Sequence, residues 1–287
     1  MTVDRGVPPA FATAEARARQ AVEADARDPS VRPRAGTRLW SHRESRPRAV
    51  LMLHGYTHSP AQLSGLAQHF FDHGYNVFVP RAPLHGLTTP AAHSGIAGVG
   101  LRAYATDAWA VAAGLGAEAG VVGISAGAAL GTWLTTQRTA PVRRLLALAP
   151  FFRPHRRMAS PVAAVALRML YGSRLVPDRI NDRGYSYTAL AQYLRISSSI
   201  RLASGGGVLA RVAVAISAAD EVVDRDTAIS LPAAIAGAAG ASFGHHLIPA
   251  TAGLGHDIVS PSAIGTHADE LHRRYLALYD ASASTAS

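Results

Sequence analysis

Val121-Val122-Gly123-Ile124-Ser125-Ala126-Gly127-Ala128-Ala129-Leu130 decides how this chain folds. A short apolar run ends in G-x-S-x-G and passes directly into helix-forming residues. A strand that turns abruptly into a helix holds its turn residue in a strained conformation, with the side chain proud of the sheet. The two backbones nearly touch at such a turn, so only small neighbours fit. Gly123, Ala126, Gly127 and Ala128 meet that demand. Ser125 is therefore expected at a helix N-terminus, where free N–H groups and the helix dipole favour developing negative charge. The pentapeptide alone also describes many surface turns, and its context is what singles it out.

Outward from this turn, strand and helix patterns alternate. Far upstream, Phe11–Arg27 reads as a polar helix rich in Ala, Arg and Glu that packs on the domain surface, and Thr37–Trp40 as an early strand. Ala49–Leu53 is a continuous apolar run of the kind buried on both faces of a parallel sheet. The next helix is marked by Ser59 as cap, Pro60 in its first turn and Gly74 at its close. Its apolar face carries Leu63, Leu66, Ala67, Phe70 and Phe71. Tyr75–Val79 is a strand, and about Leu101–Leu115 is a helix with Tyr104, Ala108 and Val111 inward. Downstream, Val142–Leu148 is a strand. The alternation predicts a mostly parallel sheet covered by helices on both faces.

It breaks after Pro150. Pro161–Tyr171, capped by Ser160, and Tyr187–Leu194 read as helices without intervening strands, and Ser197–Ser199 with Gly205–Gly207 as flexible connector. Strands resume at Arg211–Ile216 and Ser242–Ile248. Between them lies a helix near Asp224–Ile235, and a last helix spans His267–Tyr279 with Leu271, Tyr275 and Leu278 inward. The chain thus divides into an N-terminal extension (1–34), a first core part (35–150), a helical insert (151–209), a second core part (210–280) and a flexible tail (281–287). An insert after the sixth strand stands where a lid would sit, above the carboxyl ends where such sheets bind ligands.

Composition narrows the function classes. A chain of 287 residues, 48% hydrophobic and 16% charged, forms a sizeable core. It has no Cys, which removes disulfides, thiolate metal sites and cysteine nucleophiles. It also has no Lys, which removes Schiff-base chemistry and a phosphate-loop lysine. The net charge of +9 comes from arginines spread along the chain with no nucleic-acid motif, so a solvated basic surface is expected and no nucleic-acid partner. Gly114 and Gly116 precede a strand instead of following one, the wrong order for a dinucleotide fingerprint. The first residues lack the apolar core of a signal peptide, and no apolar run spans a bilayer. The expectation is a soluble cytoplasmic protein whose oligomeric state is left open.

Serine becomes a good nucleophile only beside a base, and that base needs an orienting acid. Past the seventh expected strand stands Asp220, with Glu221 and Asp224 as alternatives; past the eighth stands His256. His256 is preferred to His245 and His246, which lie inside a predicted strand. Ser125, Asp220 and His256 then occupy loops at one edge of the sheet, in the chain order Ser…Asp…His. The main-chain N–H groups of Tyr56 and Ala126 are expected to form an oxyanion hole. His54 reads as a brace for that loop. With His58 it makes no zinc site, for want of a third ligand at suitable spacing, and no cofactor is expected. His58 and His85 fall near the mouth as candidate pocket residues. In the insert, Val162, Val165, Ala166, Met169 and Leu170 form an apolar stripe, which serves either core packing or contact with an acyl chain. The stretch Phe151–Arg157 opens the insert with guanidinium groups that attract carboxylate or phosphate, although a solvated face is the plainer expectation.

Leu53-His54-Gly55-Tyr56-Thr57-His58-Ser59-Pro60, Pro80–Gly86, the Gly123–Gly127 turn, Asp220 with Val223, and Gly255-His256 resemble the α/β-hydrolase family. The nearest likeness is to bacterial carboxylesterases and monoacylglycerol-lipase-like serine hydrolases, whose H-G-F-T-G-S-P is similar to the stretch at His54. The likeness runs from about Leu51 to Tyr279. It implies a cofactor-free serine hydrolase with a helical lid, acting on a small-molecule ester. Thioesters, acyl transfer and ligand binding without turnover are other uses of the same fold. Two positions depart from the pattern: His58 stands where Gly is usual, and Leu84 where Gly often precedes His-Gly.

Overall fold

The computed structural model describes residues 10–181, 184–202 and 208–281. Seven strands form one sheet: β1 (Arg38–Trp40), β2 (Arg46–Leu53), β3 (Tyr75–Val79), β4 (Gly116–Ile124), β5 (Arg144–Leu148), β6 (Arg211–Ser217) and β7 (Ser242–Ile248). Their order is β1-β3-β2-β4-β5-β6-β7, with β1 antiparallel at the edge and every other pairing parallel. The helices are α1 (Phe11–Arg27), α2 (Ser64–Asp72), α3 (Gly98–Ala113), α4 (Ala126–Thr135), α5 (Pro161–Leu170), α6 (Tyr187–Ser198), α7 (Arg225–Ala239), the short α8 (Pro261–Ile264) and α9 (Ala268–Asp280).

Alternate residues of each central strand supply two cores. Val50, Met52, Val122, Ile124, Leu146 and Leu148 pack with Leu66 and Phe70 of α2 and Tyr275 and Tyr279 of α9. Ala49, Leu51, Leu53, Val121 and Leu145 pack on the other face with Leu101 and Trp109 of α3 and Leu130 and Trp133 of α4. Each large apolar side chain among them, fully withdrawn from water, contributes about 1.5–3 kcal/mol before chain entropy is counted. The strand order reverses its lateral progress at β2 and β4, and a crevice opens at their carboxyl ends there. Helix α1 is tied to the sheet through Asp25, which accepts from Thr37 N (2.7 Å) and from Arg81 (2.7 Å). No helix among the described residues is long and apolar enough to cross a membrane.

Several expectations are corrected. The helical insert follows β5, not a sixth strand: among the described residues five strands precede it. Ser59 caps nothing with its side chain, and Pro60 opens a 3-10 turn (Pro60–Leu63) before α2. In α3 Leu101, Ala105, Ala108, Trp109 and Ala112 are buried, and the expected Tyr104 and Val111 are half-buried and pack against the same core. Leu278 of α9 is half-buried and packs against the core, in which Leu276 and Tyr279 are buried beside the expected Leu271 and Tyr275. Ser197 is not connector: α6 continues through Ser198, and the buried Ser197 hydroxyl donates to Phe151 O (3.0 Å). Serine satisfied this way loses its preference for irregular structure. The expected connector Gly205–Gly207 and the tail beyond residue 281 lie outside the described residues.

Candidate active site

Ser125 has φ 55° and ψ −119°, in the left-handed half of backbone space where a Cβ is strained. Its N–H donates to Leu148 O (2.9 Å) and its carbonyl accepts from Phe151 N (3.0 Å), so the end of β5 and the loop after it clamp the turn. The turn exists because α4 lies against β2. A Cβ on Gly127 would come within 2.2 Å of Leu53 O, and one on Gly123 within 2.6 Å of Gly127 O.

Asp220 follows β6 and its side chain is fully buried. One carboxylate oxygen, Oδ1, accepts from Val222 N (2.8 Å) and Val223 N (3.2 Å). The other, Oδ2, lies 2.7 Å from His256 Nδ1. A carboxylate only accepts, so Nδ1 carries the imidazole proton, and Nε2 is free to accept from the Ser125 hydroxyl 2.8 Å away. Glu221 points away and pairs with Arg157, while Asp224 caps α7 by accepting from Thr227 N (2.9 Å). The two loops are stitched together by Ser217 at the end of β6. Its hydroxyl donates to Leu254 O, two residues before His256, and accepts from Ala219 N (3.1 Å), next to Asp220.

Tyr56 and Ala126 both line the cavity above Ser125, and neither main-chain N–H donates a hydrogen bond among the described residues. The adjoining Gly55 N–H is taken up by Gln62 Oε1 (2.8 Å). Gln62 is 5% exposed, and no motif in the sequence singles it out. The available signal is a polar residue immediately before the apolar face that begins at Leu63. His54 braces the same loop: Nδ1–H donates to Gly55 O (2.9 Å), and Nε2 accepts from Ala82 N (3.0 Å).

Burial lowers the His54 pKa from 6.5 to about 4, since a charged imidazole there would be cut off from water. The unfolded chain takes up this proton near pH 6.5 and the folded one only near pH 4. Stability is therefore full at neutral pH and is lost as pH falls through that window, by about 3 kcal/mol in all. Urea titrations should show about 2 kcal/mol lost between roughly pH 7.5 and 5 from this residue. His54→Gln should flatten the pH profile by that amount; an unchanged slope would show that His54 is not the titrating group.

The cavity over Ser125 and His256 holds ≈ 440 Å³. Its floor is Gly55, Tyr56, Gln62 and Ala126, and the insert roofs it with Met158, Ala159, Ala163, Leu167, Tyr187 and Leu190. His58 lies on its wall, its Nε2 4.0 Å from Asp257 Oδ2. Three expected pocket residues lie elsewhere. His85 is fully buried beneath the loop, its Nδ1–H donating to Pro83 O (2.8 Å) and its Nε2 accepting from Tyr193 OH (3.2 Å). Met169 and Leu170 are 60% and 41% exposed because α5 turns Ala163 and Leu167 inward instead. The neighbouring Leu84 adopts φ 63°, a left-handed conformation that explains why Gly suits this position. Among the described residues no group of three or more His, Asp or Glu side chains is placed to hold a metal ion.

This sheet order, with a strained serine after β4 and the other polar groups on the loops after β6 and β7, is an α/β-hydrolase fold. A family model for the alpha/beta hydrolase fold matches residues 48–182. Among solved structures the chain is similar to one reported for the metagenome-derived lipolytic enzymes LipS and LipT. That likeness has 21% identity over 86% of this chain and 98% of that one, with TM-score 0.64. A soluble variant of monoglyceride lipase from Saccharomyces cerevisiae aligns at 13% identity over 85% and 91% of the two chains, TM-score 0.56. Est1E from Butyrivibrio proteoclasticus, with ferulic acid bound, aligns at 13% identity over 84% and 92%, TM-score 0.56. No curated protein matches the sequence.

Proposed function

We propose that this protein is a serine hydrolase that cleaves carboxylic esters of small molecules through an acyl-enzyme. One observation carries the reading: Ser125 Oγ, His256 and Asp220 form a continuous relay of 2.8 and 2.7 Å hydrogen bonds at the floor of a largely apolar cavity. In the first half-reaction Ser125 Oγ attacks the ester carbonyl while His256 Nε2 takes its proton. The carbonyl oxygen becomes an oxyanion, received by the N–H groups of Tyr56 and Ala126. The intermediate collapses by breaking the carbonyl carbon–alkoxy bond, and His256 returns the proton to the departing alcohol. Water then attacks the acyl-Ser125 ester with His256 again as base, releasing the carboxylic acid and restoring the hydroxyl. Asp220 holds the required tautomer throughout and stabilises the imidazolium. No step calls for a cofactor, and the helical insert acts as the lid that keeps bulk water out.

Hydrolysis of p-nitrophenyl butyrate, followed by the absorbance of the released p-nitrophenolate, tests the proposal directly. Asp220→Asn keeps the shape of the site but donates where a carboxylate accepted, which turns the imidazole to the wrong tautomer. A drop in kcat of roughly 10⁴ is expected, with KM little changed. Full activity in the Asn variant would sink the assignment of the acid.

A further inference from the structure

Tyr56 reaches from the loop after β2 into the helical insert. Its ring lies buried against Tyr185 and Tyr193, with centroids 5.6 and 5.7 Å away. A buried tyrosine hydroxyl needs a partner, and this one finds it 130 residues further along the chain. It accepts from the main-chain N–H of Ser186 (2.9 Å) and donates back to Ser186 O (3.4 Å). Ser186 is itself fully buried and opens α6. Its hydroxyl accepts from Ala189 N (3.0 Å) and donates to Asp178 Oδ2 (2.7 Å), while Asp178 Oδ1 accepts from Thr188 N (2.9 Å). A carboxylate, a helix-capping serine and a phenol thus join the start of α6 to the loop that carries the Tyr56 N–H. The same helix sends Tyr187, Leu190 and Leu194 to the cavity over Ser125.

That loop needs holding. The next residue, Thr57, has φ 67°, a left-handed conformation that a β-branched side chain adopts only under constraint. Strain of this kind persists where the surroundings over-determine it. Gln62 on Gly55 N and His54 on Gly55 O fix one side of the loop, and the Tyr56 hydroxyl fixes the other. Phe stands at this place in the pattern H-G-F-T-G-S-P, so a ring alone suits the loop and the hydroxyl is this chain's addition.

Resting on the hydrolase reading above, we propose that Ser186 and Asp178 of the insert are positioning residues for the oxyanion hole, acting through the Tyr56 hydroxyl. The Tyr56 N–H is aimed at the oxyanion while the start of α6 is seated, so the insert completes the donor pair as well as roofing the cavity. An oxyanion donor works by being fixed before charge develops. One free to swing must reorganise as the oxygen turns negative, and part of its stabilisation is lost. The loss belongs to the transition state, so it appears in kcat and not in KM.

The test uses the whole protein. Tyr56→Phe keeps the ring and the main-chain N–H and removes only the tie. Deleting an oxyanion donor outright costs about a hundred- to a thousandfold, and loosening one should lower kcat for p-nitrophenyl butyrate by about 10- to 100-fold with KM within about twofold. Butaneboronic acid, whose adduct with Ser125 presents a tetrahedral oxyanion, should lose affinity by the same factor. Asp178→Asn offers one accepting oxygen where Ser186 and Thr188 call for two, and should lower kcat in the same way. Added to Tyr56→Phe it should cost little more, because both act through one contact. Tyr104→Phe deletes a hydroxyl that donates to Pro80 O (2.9 Å), after β3, and should leave kcat unchanged. A loss confined to KM, fully multiplicative effects of Asp178→Asn and Tyr56→Phe, or an equal loss in Tyr104→Phe overturns the proposal. Amide hydrogen exchange reads the tie without turnover: residues 54–58 and Ser186 should exchange at least about tenfold faster in Tyr56→Phe. Unchanged exchange there also overturns it. If the parent cleaves no ester and takes up no boronate while exchange still quickens, the hydrolase reading falls and the tie between insert and loop stands. Should Tyr56→Phe melt too low to assay, the kcat, KM and boronate affinity of Asp178→Asn decide the question.

Discussion

Ser125→Ala should reduce kcat for p-nitrophenyl butyrate by roughly 10⁶, to a residue of turnover set by the oxyanion donors and binding alone. The substitution removes one oxygen and leaves the strained turn, since alanine tolerates the same backbone. The 2.8 Å contact to His256 Nε2 is lost with the hydroxyl. His256→Ala should cost about as much, and combining the two should add little, because nucleophile and base act as one unit. Incubation with a fluorophosphonate should label the parent protein at Ser125 and leave the alanine variant unlabelled. Burst kinetics with p-nitrophenyl acetate should show one equivalent of p-nitrophenol released ahead of steady turnover, the signature of an acyl-enzyme. Hydrolysis persisting at the parent rate in Ser125→Ala would leave the proposal without a nucleophile.

Gly127→Ala should prevent stable folding, or lower unfolding free energy by about 4 kcal/mol or more. A Cβ at this position would stand 2.2 Å from Leu53 O and 2.4 Å from His54 O. Both are backbone atoms of the strand and loop beneath, so no rotamer change relieves the overlap, and α4 would have to lift from β2. That movement would also open the contact between the serine turn and the Tyr56 loop, so activity and stability should fall together. Gly237 provides the comparison. It lies in α7, where an added methyl group would meet nothing within 4 Å, and Gly237→Ala should stabilise by about 0.5–1 kcal/mol through helix propensity. Urea midpoints of the two variants, moving in opposite directions from the parent, check both at once.

How much of this is legible in sequence depends on the range of the forces involved. Tyr75–Val79, Ser242–Ile248 and Phe11–Arg27 form the expected elements between the expected residues, because apolar periodicity and local helix propensity decide them. The small residues around Ser125 announce a close backbone crossing, and the structure gives Ser125 the positive φ which that crossing demands. Signals fail where a local preference is overruled at a distance. Ser197 reads as connector until its hydroxyl finds Phe151 O, 46 residues earlier, and joins α6. His85 reads as a mouth residue because its neighbours in sequence are loop-like, yet it is enclosed by Tyr56, His93 and Tyr193. Met169 and Leu170 have the right chemistry for an acyl pocket but the wrong azimuth on α5, which depends on how the insert lies over the sheet.

The amino-acid sequence by itself determined the alternating strand and helix order, the tight serine turn, and the positions along the chain of Ser125, Asp220 and His256. These are written in short-range patterns of size, polarity and backbone permissiveness. The tertiary structure alone decided that Asp220, not Glu221 or Asp224, faces His256, that Gln62 holds Gly55, and which face of the insert roofs the cavity. Those outcomes depend on angles and distances between segments far apart in the chain. They are settled only when β2, β4, β6 and β7 take their places in one sheet and the loops at their carboxyl ends compete for the same few hydrogen bonds.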